Sequence, residues 1–151
     1  MKVVFIILIL LAGCDLSRAQ SYDCTPLASD DSAQSGANEE VDIIKQRSAL
    51  GVRGVVSDVN GLPIEGSYVE IFPSTKAHWL GKEMSRSEPS KRAAGCVTAT
   101  GGRFYFPVLD RGYYEIRISK KGGWNHTHIY IKLSSDFNRK KTIKVDLTPG
   151  T

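Results

Sequence analysis

VRGVVSDVNGLPIEGSYVEIF, residues 52–72, decides the fold: two runs of alternating apolar and polar side chains flank a turn. In Asn60-Gly61-Leu62-Pro63 the glycine tolerates positive φ, and the proline fixes its own φ while withholding a ladder donor. Alternation of period two marks strands with one buried face. The same texture continues from Gly51 onward. It predicts strands at Val52–Val59, Ser67–Phe72, Gly95–Thr100, Arg103–Phe106, Tyr113–Lys120, His126–Leu133 and Thr142–Leu147. Thr100-Gly101-Gly102 and Lys121-Gly122-Gly123 supply further hairpin turns. The expected fold is an all-β, seven-stranded sandwich.

Period two also assigns faces. Tyr114, Ile116 and Ile118 fall together, as do Ile129, Ile131 and Leu133, and Ile143, Val145 and Leu147. These residues, with Phe104 and Phe106, are the expected core. His126, His128, Tyr130 and Lys132 then share the other side of their strand, which in a two-sheet sandwich faces solvent. The stretch from Ser74 to Ala94 is polar and basic, with Trp79 its one large aromatic. It exceeds ordinary loop length, which points to function or mobility.

Outside the sandwich the chain begins with Lys2 and an unbroken apolar run, Val3 to Ala12. That run is too short for a stable membrane span and suits the apolar region of a secretion signal. Two cleavage sites compete within residues 1–19. Leu11-Ala12-Gly13-Cys14 resembles a bacterial lipobox, which would leave a lipidated Cys14, whereas Ser17-Arg18-Ala19 suits ordinary signal peptidase. Residues 20–48, poor in apolar side chains, read as a linker or disordered tether, and residues 49–151 as the domain. Within the linker, residues 39–48 suit either a short helix or a strand. The total length of 151 residues, with 41% hydrophobic and 24% charged residues, fits one globular domain plus short extras.

With Cys14 lipidated or removed, Cys24 and Cys96 form an even pair in an exported chain, and a disulfide between them is expected. In the chain-entropy account, so long a closed loop contributes roughly 4 kcal/mol. The net charge of +4 is modest, and export disfavours nucleic acid as a partner. The basic clusters Lys120-Lys121 and Arg139-Lys140-Lys141 serve loop solubility and edge protection, with anionic envelope polymers or lipid headgroups as the alternative contact.

Three segments together carry a family resemblance: residues 52–72, CVTATGGRFYFPVLDRGYYEIRIS at 96–119, and KKTIKVDLTPG at 140–150. They resemble the carboxypeptidase regulatory-like domain, a transthyretin-like sandwich of bacterial envelope proteins. The matching positions, Gly54 to Gly66, Thr100 to Phe106 and Gly112-Tyr113-Tyr114, specify turns and core rather than chemistry. The resemblance implies an accessory module, since the chain has no room for the zinc peptidase to which that domain is attached. A second resemblance is to intradiol ring-cleavage dioxygenases, a related sandwich whose Pro-x-His-x-His motif and two tyrosines hold ferric iron. Aligned by strand ends, His128 falls on the first histidine and Tyr130 on the second. Tyr113 or Tyr114 would supply one phenolate, and Ser74 to Ala94 holds no tyrosine for the other, so that ligand set is broken.

His126 and His128 point the same way from a strand, but two ligands do not make a metal site. No nucleophile with a positioned base, phosphate loop or paired-carboxylate motif stands out. The expected function is therefore an envelope-associated binding or structural module, not an enzyme, with neither cofactor nor metal. Its candidate surface contacts are Trp79, His126, His128, Tyr130 and Lys132. Its partner would be an envelope protein or carbohydrate, and it would sit in the periplasm or medium, or on a membrane through acylated Cys14. The alternative is a remote dioxygenase-like metal enzyme using His128 and a tyrosine.

Overall fold

The computed structural model describes residues 24–28, 44–49, 51–83, 91–107, 109–137 and 142–150. The strands are β1 (Cys24–Pro26), β2 (Ile44–Ser48), β3 (Val52–Asp58), β4 (Tyr68–Ser74), β5 (Ala94–Thr98), β6 (Arg103–Phe106), β7 (Gly112–Ser119), β8 (Thr127–Leu133) and β9 (Thr142–Leu147), with one short helix, α1 (Lys76–Leu80). They form a six-stranded sheet in the order β1-β5-β4-β7-β8-β2 and a three-stranded sheet in the order β6-β3-β9. The all-β sandwich is thus the observed fold.

The quoted stretch folds as its pattern dictates. Val52 and Val56 of β3 are buried between the sheets. The chain then turns where the Asp58 carboxylate accepts hydrogen bonds from the backbone of Asn60 at 2.9 Å and Leu62 at 2.8 Å, the local bonding that makes aspartate a turn residue. Gly61 takes φ +80° within it. On β3, Gly54 lies opposite Phe104 of β6; a Cβ there would sit 2.3 Å from the Phe104 ring. The missing side chain therefore makes the space that lets a phenylalanine lie flat across the small sheet.

Between the sheets lie the inner rows of both: Val69, Ile71, Ile116, Ile118, Ile129, Ile131 and Leu133 from the large one, Val52, Val56, Phe104, Phe106, Ile143, Val145 and Leu147 from the small one. Each fully buried side chain of this size contributes about 1.5–3 kcal/mol relative to exposure. Tyr114 lies at the margin of this core, 8% exposed, and its hydroxyl donates to the Asp110 carbonyl at 3.1 Å. Burial, and then the Asp110 charge, push its pKa above the ordinary tyrosine value.

Two expectations are corrected. There are nine strands among the described residues rather than seven, and the extra two, β1 and β2, come from the segment expected to be a disordered linker. Residues 39–48 suit a short helix or a strand, and β2 takes the strand; β1 has no periodicity to mark it, and each pairs with an edge of the large sheet. β1 pairs antiparallel with β5 and β2 pairs parallel with β8, so one segment occupies both ends of the large sheet. The expected disulfide is present: Cys24 and Cys96 are joined with their Cα atoms 5.6 Å apart, which fastens β1 to its neighbour. Cys14, Arg139, Lys140, Lys141, both cleavage sites and the apolar leader lie outside the described residues. Among those described, no helix is long and apolar enough to cross a membrane.

Candidate functional site

A further correction concerns the outer face of the six-stranded sheet. His126, His128 and Tyr130 do leave β8 and its approach on the side away from the core, but they are only 8%, 5% and 9% exposed. For Tyr130 the physical reason is the stretch expected to be a loop. After β4 the chain turns back over this face as α1, which packs on β8. Thr75 caps the helix, its hydroxyl accepting from the His78 backbone at 3.1 Å, and Gly81 ends it in the left-handed region at φ 72°. Such caps satisfy the backbone groups that a single turn leaves open.

Beneath this roof His78 stacks on Tyr130, ring centroids 6.1 Å apart, and Trp79 leans on Tyr113 at 5.9 Å. His78 Nδ1 is 3.0 Å from the Ser74 hydroxyl and its Nε2 is 3.5 Å from Glu83. Trp79 is half-buried rather than a free surface anchor, and half-buried Lys132 holds its ammonium over the Tyr113 ring at 6.0 Å.

The centre of the face is Glu115 on β7, 1% exposed. Its carboxylate accepts from Arg117 Nε at 2.9 Å and Nη2 at 3.1 Å, and its Oε1 lies 2.8 Å from His128 Nδ1. Arg117 in turn lies over the Phe72 ring at 4.3 Å. A carboxylate so deeply buried costs several kcal/mol unless its lone pairs are met, and here a guanidinium and an imidazole meet them. An ionised carboxylate only accepts, so Nδ1 is the nitrogen that donates to it, leaving Nε2 as the second working atom. A second buried pair, Glu70 with Arg92 at 2.8 Å, closes the face toward β5, and Arg92 also donates to the Ala28 carbonyl.

Sequence reasoning missed Glu115, Arg117, Glu70 and Arg92. Glu115 and Arg117 stand two apart on a strand expected to show that side to water, where charged residues are ordinary. The one signal that could have found the roofed face was the lone Trp79 with Thr75 and Gly81 as caps in a long polar stretch.

Among the described residues no three His, Cys, Asp or Glu side chains gather where a metal ion could sit. His128 and Tyr130 share a face, but Glu115 already holds one nitrogen of His128. The described residues thus bring His128 and Tyr130, one histidine and one tyrosine, to one face, which is part of the four-ligand set of a ring-cleavage enzyme.

No protein-family model matches the chain, and no curated protein sequence matches it. Solved structures do. Wild-type catechol 1,2-dioxygenase of Acinetobacter radioresistens is 13% identical with a TM-score of 0.43, over 76% of this chain and 60% of that one. Catechol 1,2-dioxygenase of Pseudomonas arvilla C-1 is 17% identical with a TM-score of 0.35, over 66% and 42%. 3-Chlorocatechol 1,2-dioxygenase of Rhodococcus opacus 1CP is 12% identical with a TM-score of 0.41, over 87% and 75%. The chain thus spans about 60% of the length of the Acinetobacter enzyme, and the likeness is one of all-β sandwich architecture. These neighbours correct one expectation from the sequence: each is an enzyme, so the expectation that the chain is not one does not stand.

Proposed function

We propose that the chain works through the roofed outer face of its large sheet as a site for a small ligand, with His128 meeting the ligand and Glu115 aiming it. The observation that supports this is the 2.8 Å contact of Glu115 Oε1 with His128 Nδ1, both buried. A carboxylate on one ring nitrogen fixes the orientation and tautomer of the imidazole and leaves the other nitrogen to meet a ligand. That nitrogen can accept a hydrogen bond from a ligand. The aromatic surroundings, His78, Trp79, Tyr113 and Tyr130, suit a planar compound with polar edges.

The test uses catechol as the probe, titrated against the purified protein and followed by tryptophan fluorescence. Saturable binding that is lost in His128→Gln, with cooperative unfolding retained, is the expected result. Wild-type protein that shows no saturable response overturns the proposal.

A second reading is a remote intradiol-type metal enzyme using His128 and a tyrosine. It is favoured by the placement of His128 and Tyr130 on one face of β8, two residues apart. Stoichiometric iron or zinc in purified protein, lost in His128→Ala, would establish it, and metal-free protein would remove it.

We further infer an exported protein of the bacterial envelope, related to the carboxypeptidase regulatory-like domain. The apolar run Val3 to Ala12 and the paired Cys24 and Cys96 support export, and the Gly54–Gly66 turn pattern supports the family. Its partners in that setting would be an envelope protein or carbohydrate. Mass spectrometry of the mature protein decides the anchor: lipid on Cys14 places it on a membrane, a start at Gln20 frees it, and an intact Met1 overturns export.

A further inference from the structure

Strand β9 ends the three-stranded sheet: among the described residues it has β3 on one side and no strand on the other. Its side chains alternate strictly. Ile143, Val145 and Leu147 are buried, while Thr142, Lys144 and Asp146 are exposed. Beyond it the chain is tied down, Thr148 accepting from the Asn125 backbone at 2.9 Å, so the open side is confined to the strand itself. An open strand side is a row of unpaired backbone donors and acceptors that a second strand can meet.

We propose that this edge pairs antiparallel with β9 of a second copy of the chain, about a two-fold axis at Val145. In a strand the backbone groups of alternate residues point to alternate sides. Two identical edges can therefore mate antiparallel only in registers that set residues of like parity opposite each other. Four such registers centre on residues inside the ends of the strand, and the one centred on Ile143 is set aside because it pairs only Thr142 to Lys144 of the strand with one another. One centred on Lys144 sets Lys144 against Lys144, and one centred on Asp146 sets Asp146 against Asp146. The register centred on Val145 sets Lys144 against Asp146 twice, once on each side of the axis. Opposite charges directly across a strand pair stabilise it and like charges oppose it, so the charge pattern selects one register of the remaining three. The same register carries the buried row Ile143, Val145 and Leu147 into the corresponding row of the second copy, giving a six-stranded sheet shared by two chains. The interface is self-complementary, as a two-fold one must be.

Sedimentation velocity over a concentration series, on the mature full-length protein, tests this. Wild-type protein is expected to pass from monomer to dimer. Lys144→Asp makes both outward charges acidic and Asp146→Lys makes both basic; each alone is expected to weaken self-association roughly tenfold or more, because two attractive pairs become repulsive. Mixed in equal amounts, the two variants restore opposite pairs at every position and are expected to form a heterodimer. Asp146 accepts a hydrogen bond from Ser57 at 2.7 Å, so Lys144→Glu, which leaves that contact alone, serves as an independent variant. A wild-type protein that stays monomeric, single variants that dimerise as wild type does, or a mixture that does not associate would each overturn the proposal.

Discussion

Glu115 reaches past its own cross-strand neighbour to His128. The register pairs Glu115 with Tyr130 and Arg117 with His128, yet the Glu115 carboxylate contacts His128 Nδ1 at 2.8 Å along the diagonal. One acid thereby joins two bases on two strands. Removing it leaves a guanidinium and an imidazole facing each other in a space with little water.

Glu115→Ala is accordingly expected to cost about 3–5 kcal/mol, the range for stripping one partner from a buried ionic network. Glu115→Gln keeps the shape and is expected to cost less. Urea unfolding of both variants, compared with Glu115→Ala/His128→Ala, checks this: the double variant is expected to lose less than the sum of the singles, because the residues are in contact.

The roof depends on a single turn of helix. Thr75→Ala removes the hydroxyl that accepts from the His78 backbone, and loss of such a cap costs about 1 kcal/mol. For α1 the expected outcome is faster amide exchange at residues 76–81, with the strands of the large sheet unchanged. Hydrogen exchange by mass spectrometry reads both.

Much of the sandwich was legible in the sequence because its strands alternate one dry side with one wet side. Ile116, Ile118, Ile129 and Ile131 announce their burial by spacing alone. The roofed face was not legible for the same reason. Glu115, Arg117 and His128 occupy positions where alternation predicts water, and alternation carries no sign of the chain that returns over Tyr113 and Tyr130 beside them. β1 was hidden for a different reason: Cys24-Thr25-Pro26 has no periodicity to read, and its conformation is set by a disulfide and by the edge of β5.

Glycine substitutions separate two costs at one turn. Gly101 and Gly102 have φ of +98° and +63°, but a Cβ at Gly101 meets nothing within 4 Å, whereas one at Gly102 lies 2.2 Å from the Val56 carbonyl oxygen. Gly101→Ala is expected to cost about 1–2 kcal/mol from backbone strain alone. Gly102→Ala is expected to cost more, since it also breaks the approach that lets Val56 donate to the Gly102 carbonyl at 2.8 Å. Thermal unfolding of the two variants gives the difference.

Alkaline stability is expected to follow Tyr114. Its pKa is raised by burial and by Asp110, so the folded chain holds its proton more tightly than the unfolded one. Stability from this group is fully present below the ordinary tyrosine value of 10.0 and is lost as pH rises through the raised value. In Tyr114→Phe this loss is expected to disappear, at a cost near neutral pH of about 1 kcal/mol for the hydrogen bond to Asp110. Unfolding midpoints between neutral and strongly alkaline pH, for both proteins, check the sign.

The placement of β1 and β2 bears on where the domain can be cut. Both strands come from the stretch ahead of residue 49, and they bookend the large sheet from opposite ends. A fragment trimmed to begin at that residue would keep every core isoleucine and yet bare the flanks of β5 and β8 together. Trimming would convert a sealed sheet into one with two sticky margins, prone to stack into aggregates. β1 and β2 are in this sense a guard against self-polymerisation.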